Sequence, residues 1–129
     1  MAGAVVFNKV SPINNSMNLE AVTVKVLDTA INGWARLVGF SLVAKDQASA
    51  TLKRNDAQIR LISKPDHDPK TAGACYVDVS DVEACRNELI ERGAKPGKIE
   101  FRNHENKNYR VFFLVEHDDG YCFCFGQRA

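Results

Sequence analysis

Residues Gly73 to Gln127 read GACYVDVSDVEACRNELIERGAKPG, then KIEFR, a polar segment, and YRVFFLVEHDDGYCFCFGQ, and this patterning decides the fold. Cys75, Val77 and Val79 alternate with Ala74, Tyr76 and Asp78, a two-residue period that predicts a strand burying one face. Asp81 follows as a natural N-cap, Glu83 adds negative charge to the first turn, and Val82, Cys85, Leu89 and Ile90 make one apolar stripe at helical spacing. Gly93 suits a left-handed helix end, and Pro96-Gly97 prevents the helix from resuming. A short return strand, Ile99 to Phe101, ends in the polar run Asn103 to Asn108. Arg110 to Val115 and Tyr121 to Phe125 then pair across Asp118-Asp119-Gly120, completing one βαβββ unit.

An earlier part of the chain repeats the unit. Val24 to Asp28 matches Val77 to Asp81, and Gly39 follows the first Asp much as Gly93 follows the second, so each copy reads strand, Asp cap, helix, Gly stop. Ile31, Trp34 and Leu37 give the first helix its apolar face. Phe40 to Val43, Ala48 to Leu52 and Gln58 to Ile62 supply three strands, with polar turns at Lys45-Asp46-Gln47 and Arg54-Asn55-Asp56. The chain therefore divides into an N-terminal strand or arm (1–18), a first module (19–63), a linker rich in Pro and charge (64–72) and a second module (73–129), within one compact domain. The class is α+β: tandem βαβββ modules forming a cup-shaped mixed sheet with the helices outside and room for a ligand inside.

Composition narrows the function. Among 129 residues, 17 Lys and Arg nearly balance 16 Asp and Glu, and no block of like charge forms a footprint for nucleic acid or an anionic membrane. No apolar run is long enough to span a bilayer, and Ala4 to Phe7 reads as strand rather than as a secretory leader, so a cytoplasmic protein is expected. The 4 cysteines match no disulfide framework. Cys122 and Cys124 lie on one strand face, the wrong geometry for a zinc knuckle. The 3 histidines, His67, His104 and His117, all fall in polar segments, where exposure is expected.

The runs DTAINGWARLVGF (Asp28 to Phe40), VDVSDVEACRNELIERGA (Val77 to Ala94) and HDDGYCFCFGQ (His117 to Gln127) together resemble the vicinal oxygen chelate superfamily of glyoxalases, bleomycin resistance proteins and dioxygenases. The likeness covers about residues 19 to 127. His117-Asp118 stands where the family's closing turn has Asp-Pro. The resemblance implies the paired-module fold and a homodimer. It also implies, for the metalloenzymes, a divalent metal held by the first and last strand of each module. Matched strand to strand, those positions fall on Ala21, Arg60, Ala74 and Cys124. Two alanines offer no donor and an arginine offers no lone pair, so no metal and no cofactor are expected.

By alternation the cup-facing side chains are Thr23, Lys25, Gln58, Arg60, Tyr76, Asp78, Cys122 and Cys124. Arg60 could fork onto a carboxylate or phosphate and Tyr76 could stack on a ring, so the expected ligand is anionic or aromatic. The competing reading is that Arg60 pairs with Asp78 or meets solvent at the cup mouth. Trp34 is a candidate pocket wall, although an apolar helix face more often points a Trp into the core. Cys124 as a nucleophile would need a nearby base, and no histidine can be placed beside it. The expected function is metal-independent binding or sequestration of a small molecule. The alternatives are a metal-dependent lyase, isomerase or dioxygenase whose ligands lie elsewhere, and a dimer whose cup is filled by its own side chains.

Overall fold

The computed structural model describes residues 4–129. The first three residues of the predicted arm lie outside the described residues. Two helices and two mixed sheets follow the predicted order. In the first module β2 (Val22–Val24), α1 (Leu27–Val38), β3 (Ser41–Lys45), β4 (Ser49–Arg54) and β5 (Ala57–Ser63) form a sheet ordered β2-β5-β4-β3. In the second, β6 (Ala74–Val79), α2 (Val82–Glu91), β7 (Glu100–His104), β8 (Lys107–Val115) and β9 (Cys122–Arg128) give the order β6-β9-β8-β7. β2 runs parallel to β5 and β6 parallel to β9, the same crossover twice. β1 (Phe7–Pro12) pairs antiparallel with β6 and makes the second sheet five-stranded. Pro12 ends this arm rather than interrupting it, because the edge position leaves its missing N–H without consequence.

The two Asp-led helix starts are not equivalent. Asp81 caps α2 as expected, accepting from Ala84 N at 3.1 Å, and the side chain of Gln127 on β9 accepts from Val82 N. Asp28 is no cap: it sits inside the first turn of α1, whose N-cap is Val26 and has no side-chain bond. Asp28 instead pairs with Lys45 at 3.6 Å. The apolar stripe of α2 is also narrower than its sequence suggests, since Ile90 is exposed beside buried Val82, Cys85 and Leu89. The run Asn103 to Asn108 is strand rather than loop, except for Glu105 and Asn106. Both have positive φ, 52° and 63°, the mirror-image turn that suits a two-residue hairpin.

The modules share one core. Val22, Val24, Ile59 and Leu61 from the first sheet join Cys75, Val77, Phe123 and Phe125 from the second in a single buried cluster. Trp34 of α1 crosses between them, its ring centroid 5.2 Å from Phe123, and Phe7 of the arm packs against Phe40 and Phe125. Each helix packs on the sheet of its own module, the apolar faces of both sheets meet with Trp34 between them, and each sheet keeps a helix-free face turned the other way. Among the described residues no strand ladder joins the two sheets.

Arg54 closes this joint. Its guanidinium meets both carboxylate oxygens of Glu88 on α2, at 2.5 and 2.7 Å, and donates to Val38 O and Val5 O at 2.9 and 3.1 Å. It also lies 4.1 Å over the Phe7 ring. The αL residue after α1 must be glycine here for two reasons: Gly39 has φ 81°, and a Cβ on it would stand 2.6 Å from Arg54 Nη1. Hydrogen bonding to Arg54, with Arg92 second, holds the Glu88 carboxyl below its ordinary 4.5 against the opposing effect of burial. A depressed carboxylate stabilises the fold above that range, and the contribution disappears as pH falls through the folded value. Arg54→Ala should cost about 3 kcal/mol in chemical denaturation, because it leaves Glu88 with Arg92 alone and strips Val38 O and Val5 O of their donor. Glu88→Gln should flatten the loss of stability below pH 4.5.

Candidate functional site

The predicted cup-facing residues separate into two groups, one on each helix-free face. Arg60 and Gln58 lie on the first sheet. Tyr76, Asp78, Cys122 and Cys124 lie on the second. No hydrogen bond or ion pair joins the two groups among the described residues. Trp34 belongs to neither, being 2% exposed in the shared core, so it does not wall a pocket. The register places Cys122 beside Ala74, and Cys124 beside Tyr76. The first-module ladder, which pairs Val22 with Leu61, brings Ala21 level with Arg60.

On the first sheet a cleft of about 650 Å3 opens between the arm and the strands, lined by Lys9, Glu20, Thr51, Asp56, Gln58 and Arg60 among others. Ile59 and Leu61 turn inward, so alternation turns Gln58 and Arg60 out to this face, with Thr51 directly opposite Arg60. Arg60 makes no ion pair among the described residues. Its expected rival partner Asp78 accepts instead from Asn8 Nδ2 at 3.1 Å. The one bond of the Arg60 guanidinium goes to Ser49 Oγ at 3.1 Å, and Ser49 in turn donates to Asp46 Oδ2 at 3.0 Å. Asp46 also accepts from Ala48 N and Ser49 N, both at 2.8 Å. These bonds, the Ala48 N–H first, hold its carboxyl below the ordinary range.

The second sheet's face is aromatic and thiol-bearing. Tyr76 stands edge-on to Tyr109, ring centroids 6.2 Å apart, and lies over Gly126, where a Cβ would come within 2.8 Å of the phenol oxygen. That hydroxyl is buried without a hydrogen-bond partner. Burial, and then the charge of Asp78, raise the phenol well above its ordinary value. Burial also pushes the Cys124 thiol up to about 11, so at neutral pH it is a thiol, not a nucleophilic thiolate.

Thr23 and Lys25 serve a different purpose, and so does a histidine expected to be exposed. His67 is 6% exposed, because the linker folds inward and is held by both modules. Its Nε2 lies 2.8 Å from Asp119 O and its Nδ1 2.8 Å from Thr23 Oγ1. A carbonyl only accepts, so Nε2 carries the hydrogen and Nδ1 accepts from the threonine hydroxyl. The imidazole stacks on Tyr121, centroids 5.5 Å apart, and Tyr121 Oη donates to Thr23 O at 2.7 Å. Lys25 contributes its backbone N–H, bonded to Asp119 Oδ1 at 2.9 Å. The linker packs so closely that a Cβ on Gly120, already at φ 85°, would stand 2.3 Å from Pro69 O. A pocket of about 260 Å3 lies beside this latch. His104 and His117 are exposed, as expected.

Sequence reasoning found Arg60 and Gln58 but missed Asp46, Ser49 and Lys9, which come from a turn, a strand start and the arm. Only the polar character of the Lys45-Asp46-Gln47 turn hinted at them. Among the described residues no helix is long and apolar enough to cross a membrane.

No family model matches the sequence, and no curated protein matches it. Solved structures do match. The bleomycin resistance determinant encoded on transposon Tn5 is similar at 18% identity and a TM-score of 0.74, over 86% of this chain and 96% of that one. A bleomycin-binding protein complexed with bleomycin is similar at 18% identity and 0.73, over 88% and 98%. A glyoxalase/bleomycin resistance protein/dioxygenase from Alicyclobacillus acidocaldarius is similar at 16% identity and 0.67, over 90% and 95%. The chain has the fold of these glyoxalase and bleomycin resistance proteins.

Tyr121→Phe should lower stability by about 1–2 kcal/mol, since it strips Thr23 O of its donor while keeping the ring stack. His67→Ala should cost more, by unbonding two modules at once. Urea denaturation of both variants checks the order.

Proposed function

We propose that this chain is a cytoplasmic, metal-independent small-molecule-binding protein that acts as a homodimer and takes an anionic ligand, planar or aromatic in shape. The observation that carries the reading is Arg60: a guanidinium with no carboxylate partner, held at a cleft large enough for a small molecule. An exposed arginine fork matches a carboxylate or phosphate in geometry, and Lys9 lies at the same cleft, whose lining also includes the carboxylates of Glu20 and Asp56. A solved protein of the same fold is a bleomycin-binding protein complexed with bleomycin, which supports a small-molecule role.

Metal independence rests on donor chemistry. At the positions where the resemblance places ligands stand Ala21, Arg60, Ala74 and Cys124, and at neutral pH burial keeps the Cys124 thiol protonated. Such a set does not suit a hard divalent cation.

The split site supports the homodimer. One chain shows a polar cleft with Arg60 on one sheet and an aromatic face with Tyr76 and Tyr109 on the other, and both are turned away from the shared core. A second copy laid face to face would bring the two kinds of surface together around one ligand.

Zinc, manganese, nickel and ferrous iron should leave the melting temperature unchanged. Benzoate at a hundredfold excess over its Kd should stabilise the protein by about 2.7 kcal/mol, and Arg60→Ala should weaken its binding at least tenfold. Light scattering should give twice the chain mass. A stoichiometric metal that raises the melting temperature, or benzoate binding untouched by Arg60→Ala, would sink the reading.

A further inference from the structure

The bond from Arg60 does not stop at its first partner. Arg60 Nη2 lies 3.1 Å from Ser49 Oγ, and Ser49 Oγ lies 3.0 Å from Asp46 Oδ2. Ser49 is 6% exposed, a buried hydroxyl with exactly this pair of neighbours to satisfy it. Asp46 is fixed in turn, because its other oxygen receives two backbone N–H groups of its own turn and its N–H bonds Ser49 O at 2.9 Å. An ionised carboxylate only accepts, so the Ser49 hydroxyl must give its hydrogen to Asp46, and its lone pairs are then turned to the guanidinium. The direction of every hydrogen in the chain is set by the carboxylate at its end.

We propose that Asp46 and Ser49 are positioning residues that hold the Arg60 side chain in one orientation at the cleft, with one N–H engaged and the remaining donors presented to an anion. A long arginine on an exposed strand face would otherwise sample many rotamers, and ordering it would be charged against every binding event. Here a turn in the β3–β4 connection does the ordering before the ligand arrives. Thr51, directly opposite Arg60 on β4, and Gln58, two residues earlier on β5, then flank a guanidinium of fixed aim. The proposal rests on the reading of Arg60 as the anchor of an anionic ligand, and it adds the two residues that make the anchor rigid.

The test separates the two ideas. Without any ligand, exchange of the Arg60 side-chain N–H groups, followed by NMR on nitrogen-labelled protein, should be faster in Ser49→Ala and in Asp46→Asn than in wild type. The asparagine amide keeps the turn's backbone bonds but puts a donor where Ser49 needs an acceptor. With benzoate, and with inorganic phosphate as the second anion, both variants should bind about 2- to 10-fold more weakly, the range one ordinary hydrogen bond supplies. Ser49→Thr, which keeps the hydroxyl, should bind as wild type does. Equal melting temperatures confirm that the variants fold, and Asp46→Asn decides the matter if Ser49→Ala does not. Unchanged exchange and unchanged binding in Asp46→Asn would overturn the proposal. If instead Arg60→Ala binds both anions as wild type does, or wild type binds neither, the ligand reading fails while the exchange result still judges the positioning.

Discussion

Both modules satisfy their apolar faces with each other, and the rest of the structure follows from that constraint. A lone βαβββ unit would leave one side of its helix and sheet in water. Here Trp34 reaches across to Phe123, and Phe7 reaches both Phe40 and Phe125, so neither half has a core without the other. The joint carries a charge pair at its margin, Arg54 with Glu88, bonded on every side by carbonyl oxygens and a carboxylate. Burying the pair is tolerable because its geometry is bidentate and complete. The far side of each sheet is relieved of any role in holding the fold.

That relief explains why the two free faces can differ so much in chemistry. The first is polar, with a guanidinium and an ammonium beside the carboxylates of Glu20 and Asp56 and the neutral groups of Thr51 and Gln58. The second carries phenols and protonated thiols, with one phenol hydroxyl buried and unsatisfied over Gly126. An orphaned buried hydroxyl costs free energy, and it marks the one point on that face where a neighbouring group with an acceptor would be rewarded.

Most of the architecture was legible because it rests on local rules. The two-residue alternation of Cys75, Val77 and Val79, the cap at Asp81 and the positive-φ ends at Gly39 and Gly93 all depend on residues close in sequence. The misreadings share a cause: a distant residue decided the matter. Asp28 looks like Asp81 in sequence, yet α1 begins earlier and the carboxylate turns to Lys45. His67 sits among Pro, Asp and Lys, yet Thr23 and Asp119, far along the chain in both directions, draw it inward. Arg60 was visible as an outward cation on an alternating strand. Its alignment through Ser49 was not, because a serine at a strand start carries no pattern that distinguishes a buried relay from a solvated hydroxyl.

The pairing of the arm with β6 also constrains how the chain can reach its native state. Phe7 sits opposite Val79 and packs on Phe125, so β1 has its partners in the second module, far along the chain. Contacts of such long sequence separation form late, since loop closure must precede them. Until then the arm's apolar side chain is unpaired, and the first module waits with its own apolar face uncovered. The first module by itself is therefore a half-domain that cannot complete its core, and folding becomes cooperative only once β6 and β9 have docked.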